Sequence, residues 1–411
     1  MIDDPGERSV DGAVGRWRAV ILMSGLLAIS VNQRPALVAV GPLTPQLRSE
    51  TGLGAAATSL LTTLPLLCFG VFAMVAPAAA RRWGLDRVLA GAVVVLLWGI
   101  GLRIVPSTAA LFAGSAVVGV GIAVTNVLLP GVIKRDYPSR TGPMMGLYSL
   151  CLNGGAALAA AASVPLGSAV GAGWRVALGL WGILAVAALM LWLPRLRGGE
   201  RGPASRPARR LPVWRSKVAW AVASYMALQS LVYYVLIAWL PTVLTDAGLS
   251  ASRAGVTASV MSIVGTVSSL LTPIVATRRR TQRSLVGVSA AGFALGLVGL
   301  LSNAGGIPVL WVVLLGIGQG SGIGLALTLF VLRTRSSAGA AELSGMAQTV
   351  GYLVAAAGPF LTGALHDLTG SWDAVIVALI VAVVALMAGG WIAAGDRYVD
   401  DDLPLPDRDP M

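Results

Sequence analysis

"PAAARRWGLDRVLAG" at residues 77–91 and "PIVATRRRTQRSLVG" at 273–287 lie 196 positions apart, and Pro77, Arg82, Arg87 and Gly91 meet Pro273, Arg278, Arg283 and Gly287 in register. The same offset pairs "PQLRSETGLG" (45–54) with "PTVLTDAGLS" (241–250), matching Pro45 to Pro241 and Gly52 to Gly248. A shift of 197 superposes Gly119 and Gly121 on Gly316 and Gly318. One offset held across several separated landmarks marks an internal repeat, and it divides the chain into two related halves.

What each half is made of follows from composition. The 411 residues are 56% hydrophobic and 12% charged, where soluble domains carry roughly a quarter charged residues. A bilayer core about 30 Å thick needs roughly 20 apolar residues per helix, and runs of that length occur at 18–43, 55–79, 87–105, 108–132, 143–168, 174–193, 218–241, 254–275, 284–302, 307–332, 342–365 and 373–394. Their length, and the need to satisfy every backbone polar group within lipid, make them helices. The expected fold is an all-α membrane protein of twelve transmembrane helices in two six-helix bundles. Its expected divisions are a tail at 1–17, bundles at 18–193 and 218–394, a basic linker at 194–217 and an acidic tail at 395–411. Residues 1–17 lack the basic start, apolar core and cleavage site of a secretory signal, so the first span is expected to be retained.

Basic residues set the orientation. Of the 30 Lys and Arg, 25 fall in the two tails and the even-to-odd loops, whereas Arg48, Arg103, Arg175 and Arg253 lie at the opposite ends and Arg34 lies within a span. Both termini are therefore expected in the cytoplasm. Topology and anionic lipid also account for the net charge of +12, so nucleic acid is not an expected partner. Cys68 and Cys151 fall inside spans, far from any metal-ligand spacing, and read as packing residues. No cofactor is expected, and a monomer is.

"SVNQRPALVAVGPLTP" (30–45) carries Arg34 about sixteen residues into the first span. A mid-membrane Arg costs about 2.5–3.5 kcal/mol on insertion scales and usually faces a cavity or a partner. Either surface is too far for easy snorkelling, the outer one about 15 Å away. Ten of the eighteen acidic residues are in the tails, and Glu50, Asp86, Asp136, Glu200, Asp246, Glu342, Asp367 and Asp373 fall in loops or at helix ends. The reading is that an anionic or strongly dipolar ligand answers Arg34, whose planar fork of donors suits it. The competing reading is a structural Arg that caps carbonyls freed by Pro35 and Pro42.

Other polar side chains share that depth: Gln33 beside Arg34, Asn126 in span 4, Tyr148 and Asn153 in span 5, Gln229 and Tyr233 in span 7, Gln319 in span 10, and Gln348 with Tyr352 in span 11. Gln229–Tyr233 and Gln348–Tyr352 are four apart, so each pair shares a helical face. Singly, each reads equally well as interhelical glue; as a set they favour a small polar substrate pocket. "GIGQGSGIG" lies inside an apolar run with no strand before it, so it reads as helix packing rather than a phosphate loop.

The parallel repeat of six spans resembles the major facilitator transporters, whose two halves bind substrate near the bilayer midplane and alternate its exposure. Transporters of that kind commonly carry a Gly-x-x-x-Asp-x-x-Gly-Arg-Arg stretch after the second helix. Here "PAAARRWGLDR" keeps Gly84 and Arg87 but has Pro77 and Arg81 in place of the first Gly and the Asp. Within that superfamily, "NQRPAL" with "GPLTPQL", "LLTTLPLLCFGVFAMVAP", "NVLLPGVIKRDYP" and "GLYS" resemble the cyanate and nitroimidazole transporter family (CynX/NimT), closely in the N-terminal half and more loosely in the C-terminal half. The resemblance implies a bacterial inner-membrane carrier of a small anion or compact polar molecule, with Arg34 and Asn126 at marked positions.

Energy coupling is less legible. The only His, His366, lies near the outer end of span 11 and Glu342 near its inner start, so exchange, facilitated diffusion or a proton carried on the substrate fits better than a dedicated relay. A multidrug exporter of the same fold is the alternative function, disfavoured by the repulsion Arg34 would exert on cationic drugs. An intramembrane enzyme would need a clustered nucleophile, base or metal set that the spans do not offer, and the pseudo-repeat argues against a channel.

Overall fold

A computed structural model describes residues 20, 22–170, 173–197, 211–302 and 308–402. The whole expected N-terminal tail, residues 198–210 of the expected linker and the last nine residues lie outside the described residues. The helices are α1 (Leu22–Thr51), a bent α2 (Ala55–Phe72 then Val75–Trp83), α3 (Leu85–Ile104), α4 (Thr108–Asp136), α5 (Thr141–Val170), α6 (Gly173–Leu180 then Gly182–Arg197), α7 (Lys217–Asp246), α8 (Ala251–Ala276), α9 (Arg283–Ser302), α10 (Pro308–Leu332), α11 (Ser337–Thr369) and α12 (Trp372–Ala393). Among the described residues ten helices are long and apolar enough to cross a membrane, and eleven with the two parts of α2 taken together. The remaining one, α11, is less apolar, but its 33 residues extend about 50 Å.

Helix ends follow sequence signals. Ser216, Ser250, Ser336 and Ser371 cap α7, α8, α11 and α12, each side chain accepting a backbone N–H two or three residues on, which satisfies donors the first turn leaves open. Gly52 and Gly370 close α1 and α11 with φ of 69° and 66°, a left-handed geometry that glycine adopts without a Cβ penalty. The first span was expected to end at 43. It continues to Thr51 because Leu43 and Leu47, one turn apart, are both fully buried and prolong the packing face.

The chain divides into two compact units. One combines residues up to Pro65, Trp83–Thr125 and the stretch from Cys151 to the linker; the other combines Leu66–Arg82, Asn126–Leu150 and everything after the linker. Thus α2, α4 and α5 each contribute to both.

In the first unit a core forms from Val40, Leu43 and Leu47 of α1 with Trp174, Ala177, Leu178 and Trp181 of α6. The indole N–H groups are satisfied: Trp174 donates to Glu50 at 2.9 Å and Trp181 to Ser163 Oγ at 3.1 Å.

In the second unit the bend in α2, 55° between its two parts, sets the packing against α11. Pro77 has no N–H, so the carbonyl of Ala73 loses its helical donor. Gly345 of α11 covers it, so close that an added Cβ would lie 2.8 Å from that oxygen. Small residues permit such helix approach in membranes. The chain after α12 turns back as a short 3-10 segment, Val399–Asp402. Val399 donates to the Arg333 carbonyl at 2.8 Å, Asp400 accepts the Arg335 N–H at 3.0 Å, and Asp402 accepts from Ser216 Oγ at 2.9 Å and from the Val218 N–H at 3.0 Å. The acidic tail is therefore docked, through its first residues, on the starts of α7 and α11.

Candidate functional site

Arg34 stands at a break in α1. Helical bonding runs to residue 32, Gln33 and Arg34 form a turn, and Pro35–Val38 resumes as a four-residue helical segment with Arg34 as its N-cap, φ −114° and ψ −34°. Leu37 and Val38 both donate to the Arg34 carbonyl, at 3.0 and 2.9 Å. Pro35 explains the location, since it deprives the Val31 carbonyl of its donor. Gly155 of α5 lies against that carbonyl, where a Cβ would collide. Asn32, on the near side of the break, donates to the Ala28 carbonyl at 2.8 Å and to the Leu184 carbonyl of α6 at 2.9 Å. Gln33 is buried and Arg34 half-buried, and each has an interaction partner in the structure. Asn153 is half-buried on α5 and also partnered.

The second unit holds a hydroxyl and amide cluster. Tyr148 donates to Asn126 Oδ1 at 2.5 Å, Asn126 Nδ2 donates to the Tyr352 hydroxyl at 3.2 Å, and Gln348 Nε2 donates both to the Asn126 carbonyl at 3.2 Å and to Ser344 Oγ at 2.7 Å. The ring of Phe69 meets that of Tyr352 edge-on at 5.1 Å. All six residues are at most 3% exposed. One amide thus joins α4 to α5 and α11, using its oxygen and nitrogen in complementary senses. In a membrane such interhelical bonds are worth about 0.6 kcal/mol on average. Ser344 was not among the expected site residues, although its spacing of four before Gln348 and eight before Tyr352 puts all three on one face.

Three more of the expected site residues lie on α7 and α10. Gln229 Nε2 donates to Ser230 Oγ at 2.6 Å and to the Met226 carbonyl at 3.3 Å, within α7 and against Gly322 of α10. Gln319 lies with its amide oxygen over Gly265 of α8. Tyr233 is half-buried, its ring edge-on to Tyr234 at 5.1 Å.

Two charged contacts lie at the Arg81 end of this unit. Arg81 forms an ion pair with Glu342 of α11. Lys134, at the end of α4, donates to the Val331 carbonyl at 2.6 Å and to the Thr334 carbonyl, neutralising the partial negative charge of the α10 C-terminus. Among the described residues no group of three or more His, Cys, Asp and Glu could hold a metal ion.

Comparison with known proteins accounts for this architecture. The Major Facilitator Superfamily family matches residues 20–359. The chain belongs to the major facilitator superfamily. It is 40% identical over 377 residues to the 2-nitroimidazole transporter of Escherichia coli strain K12, covering 90% of this chain and 95% of the relative. It is 31% identical over 348 residues to the cyanate transport protein CynX of the same organism, covering 84% and 90%. The solved structure of an E. coli fucose:proton symporter, FucP, matches with a TM-score of 0.70 at 12% identity, over 90% of this chain and 98% of that one; at that identity the likeness concerns the fold. This facilitator is thus a multi-pass membrane transporter with bacterial relatives that are transporters, not enzymes.

Proposed function

We propose that this facilitator moves a small anion or compact polar molecule, cyanate-like or nitroimidazole-like, across the bacterial cytoplasmic membrane by alternating access, with both termini on the inner side and Arg34 as the anion-holding residue. The observation that carries the reading is the placement of a half-buried guanidinium at a proline-induced break in the first transmembrane helix. Membrane helices are interrupted where backbone dipoles and side chains serve a ligand or a cavity, and a cation at that depth is costly unless it has such a use. The names of the two relatives supply the substrate class. The Asn126, Tyr148, Gln348 and Tyr352 cluster, with Gln33, Asn153, Gln229, Tyr233 and Gln319, completes the proposed set of polar contacts. The division into a bundle at 18–193 and a bundle at 218–394 is the proposed mechanical unit.

The test is thermal unfolding of purified protein against cyanate, 2-nitroimidazole and a panel of cationic drugs, repeated with Arg34→Gln. A ligand at a hundred times its dissociation constant stabilises by about 2.7 kcal/mol. Stabilisation by cyanate or 2-nitroimidazole that disappears in the variant supports the reading. Stabilisation by cationic drugs alone, unchanged in the variant, replaces it with a drug exporter.

A further inference from the structure

Arg103 occupies the last turn of α3, a place where the sequence puts a cation at the membrane boundary. It is instead 1% exposed. Its Nε donates to Ser115 Oγ of α4 at 3.1 Å, its Nη1 donates to the carbonyl of Ala36, and its Nη2 is buried without a hydrogen-bond partner. No carboxylate among the described residues pairs with it. A guanidinium taken out of water with no acid to offset the desolvation is a poor way to stabilise a bundle, so what it grips is informative.

Ala36 lies two residues beyond Arg34, in the short segment Pro35–Val38. Asn32, two residues before Arg34, is tied to α6 by its bond to the Leu184 carbonyl. The break is therefore flanked on both sides by side-chain ties to neighbouring helices, Asn32 to α6 and Arg103 of α3 to the Ala36 carbonyl. A proline break lacks one helical bond and so holds the two parts of a helix less firmly. A site that recognises a small anion needs its donor fixed to within a fraction of an ångström by supporting residues.

We propose that Arg103 is a positioning residue for Arg34: by holding the Ala36 carbonyl it fixes the α1 break and so aims the Arg34 guanidinium. The inference rests on the reading of Arg34 as the anion-holding residue, and its test has one arm that does not need a substrate. In a Cys68→Ser, Cys151→Ser background, Arg34→Cys is labelled with 2-aminoethyl methanethiosulfonate, with Arg103 intact or replaced. Arg103→Gln is expected to change the labelling rate by about fivefold or more, and Arg103→Lys, which keeps one donor for the Ala36 carbonyl, to return it to within about twofold. If Arg103→Gln does not accumulate, Ser115→Ala removes the Nε acceptor alone and is expected to move the rate in the same direction. An unchanged rate in every folded variant overturns the proposal.

The second arm is uptake of 2-nitroimidazole and of cyanate into proteoliposomes. Arg103→Gln is expected to raise KM about tenfold with the maximal rate within about threefold, and to add less than about twofold once Arg34 is already Gln. Additive losses, or a fall in maximal rate alone, mean that Arg103 only holds the bundle together and overturn the positioning role. If the wild-type protein takes up neither probe, the Arg34 reading fails while the labelling arm still decides the role of Arg103 at the break.

Discussion

The break in α1 and the cluster around Asn126 both put polar groups inside an apolar bundle, and they resolve the cost differently. Around Asn126 neutral donors and acceptors are matched to one another at 2.5–3.2 Å, which links α4, α5 and α11 without any ligand. At the break a half-buried charge precedes the proline that frees the Val31 carbonyl, and neighbouring helices hold the flanking residues in place. The first arrangement is expected to contribute to the stability of the empty protein, and the second to draw its benefit from what binds.

The strongest way to break that contrast is to compare unfolding of ligand-free Asn126→Ala and Arg34→Gln. Losing Asn126 removes one hydrogen bond from each of two buried tyrosine hydroxyls, at about 0.5–1.5 kcal/mol per bond, so a fall of several degrees in Tm is expected. Arg34→Gln alters a half-buried charge and is expected to lower Tm by less. The reverse order would show that Arg34 is the structural residue of the two.

A smaller effect separates the Arg81–Glu342 pair from both. Arg81→Gln and Glu342→Gln are each expected to destabilise the ligand-free protein modestly, and the double variant by less than their sum, with a coupling of about 1 kcal/mol in a thermodynamic cycle. Additivity would mean that the contact carries no energy of its own.

The smallest concerns the tail. The Val218 N–H and the Ser216 hydroxyl hold the Asp402 carboxyl below the usual carboxylate range. A group with a lowered folded-state pKa contributes above its unfolded value, and the contribution fades as pH falls through the folded one. Asp402→Asn is therefore expected to lower Tm by about 1 °C at neutral pH, a small step because the carboxylate is solvent-exposed, with the gap closing below about pH 4. A gap that widens in acid would contradict the assignment.

Much of the fold was legible because hydropathy and repetition are long-range signals carried by many residues. Each of the twelve apolar runs falls on a helix, and serines stand at the starts of four of them. Side-chain direction was not legible to the same degree. Gln229 and Gln319 were grouped by expected depth, yet what receives them is the absence of a side chain at Gly322 and Gly265 on other helices, which no local pattern announces. Arg103 read as a boundary cation because its position counts from the helix end, whereas its burial depends on Ser115 of the next helix and on Ala36, 67 residues before it. At Arg81 the sequence showed only a departure from a familiar stretch. Its partner Glu342 lies 261 residues away, and a reversed polarity at one end of a contact becomes readable only when the other end is known.

The docking of Val399–Asp402 bears on how the chain is made. The Val218 amide, in the opening turn of α7, obtains its acceptor from a residue 184 positions later. As the polypeptide leaves the ribosome, α7 must enter the bilayer with that turn incomplete, and it is finished only after α12 has been synthesised. Chains shortened before Val399 would therefore leave an open donor in the first turn of α7 rather than merely lose a tail, and reporters are best fused beyond Asp402.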